Sequence, residues 1–171
     1  EIKEIDRVAK LKKKIVHIGI RLNPNTDAKT LSQISTGKKE NKFGVSDKIF
    51  FELVNYCKNS KNLELDCLSV HIGSQILDHK PYEKMLKVVG KIINKVKYKF
   101  KFIDLGGGMG ISYTATNKKL NYKKYNIAIK KFLKNHKCKI IFEPGRAIIG
   151  NAGFLISKII YIKKSGKKDF I

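Results

Sequence analysis

Tryptophan is absent from this 171-residue chain, and proline, cysteine and arginine occur only three times each. The cysteines, Cys57, Cys67 and Cys138, are odd in number, widely spaced and free of any C-x-x-C pair. That argues against a disulfide scaffold and a structural zinc site, and makes the reducing cytoplasm the default expectation. Long apolar runs are missing too. The longest, such as 154–162, fall far short of the roughly 20 residues that a membrane-crossing helix needs. Acidic residues are scarce, 14 against 37 basic, for a formal net charge of +23. The scarcity of arginine limits what that charge means. Base-reading surfaces lean on arginine's bidentate fork, and only Arg7, Arg21 and Arg146 are there to supply it. The lysines come in ones, twos and threes along the chain, as at 12–14 and 163–164. They read as solvated helix faces, with no specific nucleic-acid partner and no membrane partner. The first residue is Glu1, so an upstream targeting segment is left open and the sequence is expected to be part of a longer one.

At 42% hydrophobic, the chain has enough apolar material for a core. Short β-branched runs at 14–22, 63–72, 100–105, 139–143 and 154–162 read as strands. A helix of about ten residues precedes the first. Between the others lie helical stripes: Ile49, Phe50, Leu53, Val54 and Cys57 in 47–59, with Ser46 as N-cap; Met85, Leu86, Val89, Ile92, Ile93 and Val96 in 81–96, with Pro81 in the first turn; and Tyr125, Ile129, Phe132 and Leu133 in 122–135. Buried-type strands alternating with amphipathic helices imply an α/β protein with a parallel sheet. The glycine-rich stretch at 104–110 fails the dinucleotide-binding fingerprint, because Ile111 stands where the third glycine belongs and no acidic residue lies in 123–129. The segment 145–150 has phosphate-loop spacing, but Asn151 and Ala152 replace the lysine and hydroxyl.

The chemically unusual residues recur at one place, the C-terminal end of an expected strand: Arg21, His71, Gly106–Gly108 and Glu143. A (β/α)8 barrel collects its active site there. Each residue also has a plain structural reading. Arg21 could close a surface ion pair, the glycines could make a tight turn, and Glu143 could pair with Arg146. The glycines could equally expose backbone N–H groups to a phosphate. His17, mid-strand, and His136, ending a helix, read as structural.

In order along the chain stand Arg21-Leu-Asn-Pro24, Thr36-Gly37, Lys42-Phe-Gly44, His71-Ile-Gly-Ser-Gln75, Asp104-Leu-Gly-Gly-Gly-Met-Gly-Ile111 with Tyr113, Glu143-Pro-Gly-Arg146, and Gly150-Asn-Ala-Gly153. Together they closely resemble the diaminopimelate decarboxylase family of pyridoxal-phosphate enzymes, which have an alanine-racemase-like barrel. Asn41 and Ser112, the latter where proline is common, are small departures. The resemblance implies pyridoxal 5'-phosphate as cofactor, meso-diaminopimelate as substrate, L-lysine and carbon dioxide as products of lysine biosynthesis, and a homodimer in the intact family. It implies that Gly106, Gly107 and Gly108 hold the cofactor phosphate, with Arg146, Gly145 and Ser74 beside them. His71 would stack on the pyridine ring, Glu143 would face its nitrogen, and Arg21 would support the ring. Arg146 would also meet the substrate carboxylate, and Lys42 would belong to a subunit-facing loop.

The same resemblance implies what is missing. The family's Schiff-base lysine precedes the arginine motif and has no counterpart here, so no catalytic residue is assigned, nor any metal ligand. The Cys-Glu and tyrosine motifs of the family's C-terminal domain also lack counterparts. The expectation is a partial (β/α)8 TIM-type barrel, its second half of about four strands, spanning 1–150, with 151–171 starting a C-terminal β-domain. Such a chain would be inactive alone. Two alternatives stand beside it: a non-catalytic cofactor-binding remnant or split-gene fragment, and another pyridoxal-phosphate decarboxylase of the same family.

Overall fold

The computed structural model describes residues 1–26, 43–113 and 119–171. Helix α1 (Ile2–Leu11) leads into β1 (Val16–Arg21). Then follow α2 (Asp47–Asn59), β2 (Leu63–Ser69), α3 (Lys80–Val96), β3 (Phe102–Asp104), α4 (Tyr122–Asn135), β4 (Lys139–Ile141) and a short α5 (Gly145–Ile149). The strands β1 to β4 form one parallel sheet in the order of the chain. Parallel neighbours need a crossover, and α2, α3 and α4 supply the three. This repeating strand–helix unit, laid down in sequence order, is half of a (β/α)8 barrel. No helix among the described residues is long and apolar enough to cross a membrane.

The local signals read from the sequence act as expected. Ser46 accepts a hydrogen bond from the Ile49 N–H and so caps α2. Pro81 sits in the first turn of α3, where its missing N–H leaves no carbonyl unpaired. One apolar cluster joins Ile20, Leu65, Leu68, Val70 and Ile103 of the sheet and its strand ends to Phe50, Val54, Met85, Val89 and Phe132 of the helices. Asp6 fastens α1 to this body by accepting hydrogen bonds from Tyr56, Ser60 and Asn62.

The apolar alternation of β2 slips by one residue, from Leu63 and Leu65 to Leu68 and Val70. A β-bulge absorbs the slip: Ile18 pairs with Leu65 and Gly19 with Cys67, leaving Asp66 as the extra residue. Because side chains alternate with a period of two, an unbulged strand could not keep both Leu65 and Leu68 in the core. The bulge also keeps Glu64, Asp66, Ser69 and His71 off the apolar face.

One expectation needs correction. The run 154–162 is not a strand, and Phe154, Leu155 and Ile156 are 94 to 96% exposed. A strand requires a ladder partner, and none of the described residues offers one to this run. The strands nearby are β5 (Lys163–Ser165) and β6 (Lys168–Phe170), an antiparallel hairpin turned at Gly166.

Candidate functional site

The four sheet strands deliver their chemistry at one end. Arg21 closes β1, His71 stands two residues beyond β2, Gly106–Gly108 follow β3, and Glu143 lies two residues beyond β4. The loops after β2 and β3 are laced together. Ile76 donates its N–H to Gly108 and accepts from Gly110, while the Gln75 amide donates to the Ile111 carbonyl at 2.6 Å and accepts the Ile111 N–H at 3.2 Å. Glu143 donates its N–H to the Gly106 carbonyl, which ties in the β4 exit.

Crowding explains why these turns use glycine. A Cβ on Gly107 would lie 2.0 Å from the Glu143 carbonyl oxygen, and one on Gly108 would lie 2.2 Å from the Gly73 carbonyl oxygen. Gly106 and Gly108 also have φ of +64° and +86°, a region that side chains disfavour. Gly145 is different, because nothing among the described residues lies within 4 Å of its Cβ position.

The polar groups at this end are partly committed. Asp104 accepts the Gly106 N–H at 2.8 Å on one carboxylate oxygen and the Ser69 hydroxyl at 3.1 Å on the other. His71 Nδ1 accepts the Gly107 N–H at 3.3 Å, so the neutral ring carries its proton on Nε2. Burial, then the nearby Arg21 cation, lowers the His71 pKa below its ordinary 6.5, against the opposing pull of Glu143 and Asp104. The Arg21 guanidinium lies 5.2 Å from the centre of the Phe43 ring. Arg146, in α5, donates from Nη1 to the Tyr113 hydroxyl, and its buried Nε has no hydrogen-bond partner among the described residues. Ser74 is half-buried in the turn after His71.

The structure therefore brings Arg21, His71, the three glycines and Glu143 to one rim. Thr36, Gly37 and Lys42 lie outside the described residues. Sequence reasoning left Tyr82 without a role, although it is fully buried beneath the glycines and its hydroxyl donates to the Gly107 carbonyl at 3.1 Å. A signal was available, since a buried tyrosine hydroxyl needs a partner. The cavity of about 570 Å³ between α3 and α4, walled by Leu86, Gly90, Phe132 and His136, shares none of these rim residues.

Charged, imidazole and glycine residues at the C-terminal ends of consecutive parallel strands define the functional rim of a (β/α)8-type barrel. Residues 1–150 match the family model described as the pyridoxal-dependent decarboxylase, pyridoxal binding domain, and the chain belongs to that family. It is 38% identical over 174 residues to the diaminopimelate decarboxylase of Aquifex aeolicus, covering all of this chain and 41% of that protein. The crystal structure of diaminopimelate decarboxylase from Helicobacter pylori complexed with L-lysine is 39% identical, with a TM-score of 0.85 over 95% of this chain and 42% of that one. A diaminopimelate decarboxylase structure from M. jannaschii in co-complex with L-lysine is 27% identical, with a TM-score of 0.75 over 96% and 40% of the two chains. The chain thus spans about two fifths of the length of these relatives.

Proposed function

We propose that this chain is the half-barrel of a diaminopimelate decarboxylase that binds the cofactor phosphate and faces its ring. The complete enzyme would convert meso-diaminopimelate to L-lysine and carbon dioxide, as a cytoplasmic homodimer. The convergence of Arg21, His71, Gly106–Gly108 and Glu143 at the ends of four consecutive parallel strands carries the reading. In it, residues 1–150 form the barrel half and 151–171 begin a β-domain.

Two donors fit a phosphorylated ligand. Among the described residues, neither the buried Arg146 Nε nor the Gly108 N–H has a partner. A buried donor left unpaired, such as the Arg146 Nε, costs free energy, so a ligand oxygen placed there would be favoured. When bound, pyridoxal phosphate would supply an electron sink for the electron pair left on the substrate carbon when carbon dioxide departs. The protein's part is to hold and tune. Gly108, Ser74 and Arg146 take the phosphate, with Gly106, Gly107 and Gly145 shaping the cradle. His71, neutral and fixed through Nδ1, lies against one ring face, supported by Arg21. Glu143 keeps a proton on the ring nitrogen, and Arg146 also meets the substrate carboxylate. The reading assigns this half no Schiff-base lysine.

Titration with pyridoxal 5'-phosphate, followed by borohydride reduction and an assay for lysine, tests this. Saturable one-to-one binding is expected, without a stoichiometric adduct at a single lysine and without lysine formation. Absence of saturable binding overturns the cofactor reading. A single-site adduct that supports lysine formation overturns the assignment of the catalytic lysine elsewhere.

A further inference from the structure

Five of the six backbone polar groups of the glycine triplet are occupied from within the fold. The Gly106 carbonyl accepts the Glu143 N–H at 2.9 Å, the Gly107 carbonyl accepts the Tyr82 hydroxyl at 3.1 Å, and the Gly108 carbonyl accepts the Ile76 N–H at 2.8 Å. Among the amides, Gly106 donates to Asp104 and Gly107 to His71. Only the Gly108 N–H has no partner among the described residues.

The Gly107 carbonyl and the Gly108 N–H belong to one peptide unit. That unit is planar and trans, as are all the peptide bonds among the described residues, so its C=O and N–H point in opposite directions. Tyr82 comes from α3, in the helical layer, and its ring is stacked on Tyr125 of α4 with centroids 4.3 Å apart. The hydroxyl is fully buried, and burial raises its pKa, so it remains a donor at all working pH values. Holding the carbonyl toward the helices turns the Gly108 N–H toward the other side, where His71, Arg21 and Glu143 stand. Glycine at 108 removes the side chain that would otherwise hinder this orientation, with φ at +86°.

We infer that Tyr82 is a positioning residue that aims the Gly108 amide, through the Gly107 carbonyl, at the cofactor phosphate. The inference rests on the proposed function, and it adds a residue of the outer helical layer to the phosphate site. Its mark is selective: losing the Tyr82 hydroxyl weakens the hold on phosphate but not on the ring.

Binding of pyridoxal 5'-phosphate and of pyridoxal, which lacks the phosphate, to the unsubstituted chain and to Tyr82→Phe provides the test. Phenylalanine keeps the stacking on Tyr125 and removes the hydroxyl alone. The expected result is about five-fold weaker binding of pyridoxal 5'-phosphate, the usual size of one lost neutral hydrogen bond, with pyridoxal unchanged. Equal losses for both ligands, or none for either, overturn the role of Tyr82. Failure of the unsubstituted chain to prefer the phosphorylated ligand overturns the phosphate site itself. A measurement on the unsubstituted chain is independent of how the variant folds: in amide NMR with added pyridoxal 5'-phosphate, the Gly108 N–H should shift downfield more than those of Gly106 and Gly107. A larger shift at either of the other two overturns the inference.

Discussion

The open face of the sheet carries charge at both ends, and the two ends treat it differently. At the N-terminal end, the Lys101 ammonium bonds Glu64 and, at 2.9 Å, Asp66, while His17 Nδ1 lies 2.6 Å from Asp66. Each carboxylate there has a cation or imidazole against it. His17, Glu64 and Asp66 approach closely enough to resemble a metal-binding trio, but Lys101 already supplies the positive charge. At the C-terminal end, Arg21 rests on a Phe43 ring, and Arg146 bonds a tyrosine hydroxyl. Neither they nor Glu143 makes an ion pair among the described residues. One end of the face pairs its charges within the fold, and the other leaves Arg21, Arg146 and Glu143 out of ion pairs among the described residues. That contrast separates scaffold from site more sharply than residue type does, because both ends contain histidine and carboxylates.

The largest expected effect comes from crowding at the C-terminal end. Gly107→Ala would drive a methyl group into the Glu143 carbonyl oxygen, 2.0 Å away, and backbone cannot yield as a flexible side chain does. The β3 and β4 exits would have to separate. A loss on the order of 3 kcal/mol is expected in denaturant unfolding, together with loss of pyridoxal 5'-phosphate binding. Gly145→Ala supplies the control. Its Cβ position is open and it begins α5, so a change within about 1 kcal/mol, neutral or stabilising, is expected. Equal damage from both substitutions would remove the distinction between a glycine required by close approach and one that is not.

An intermediate effect compares charge at the two ends directly. Glu143→Gln keeps the size and loses the charge, and is expected to weaken pyridoxal 5'-phosphate binding by about ten-fold, as for a lost charge-assisted hydrogen bond, with little change in unfolding. Lys101→Met should do the reverse: a small loss of stability, since the ammonium itself is exposed, and unchanged cofactor affinity. Cofactor titration and denaturant unfolding of both variants check this. If Lys101→Met weakened binding as much as Glu143→Gln, the N-terminal end would belong to the site as well.

Much of this was legible in the sequence, and the exceptions have physical causes. Helices 47–59 and 122–135 were readable because their apolar stripes repeat every three to four residues and Ser46 caps the first. The parallel sheet followed from the alternation of elements, and Arg21, His71 and Glu143 stand at strand ends, as their place after β-branched runs implied. The bulge at Asp66 is recorded in the slip from Leu65 to Leu68, but a β-branched composition marks only that a strand is there and not its register. The run 154–162 looked like a strand because apolar, β-branched composition expresses propensity, while a strand is made by its partner. Tyr82 escaped because its role depends on which carbonyl lies above it, a fact of tertiary packing. The internal engagement of the Gly106 and Gly107 amides depends on Asp104 and His71 in the same way.

The smallest expected effect is in pH, where His71 and Asp66 should titrate in separate windows. The folded His71 has a pKa below 6.5, so the fold favours its neutral form. Above about 6.5 neither folded nor unfolded chain is protonated there, and the full contribution is present. As pH falls below that value, the unfolded chain takes up a proton that the folded chain refuses, and stability declines until the lowered pKa is reached. His136, also lowered by burial, acts in the same window. At the N-terminal end, burial pushes Asp66 upward, but hydrogen bonds from Lys101 and His17 outweigh it and hold its pKa below 3.8. Its contribution is present above about 3.8 and is lost only as pH falls through the folded value. Asp6, held low by Asn62, Ser60 and Tyr56, adds to that second window. Unfolding followed from pH 8 to pH 3 should therefore show an early loss that His71→Asn diminishes and a late loss that Asp66→Asn diminishes. If His71→Asn left the early window unchanged, the His71 imidazole would not be held neutral by its burial and the nearby Arg21, and the ring-facing role proposed for it would lose its electrostatic basis.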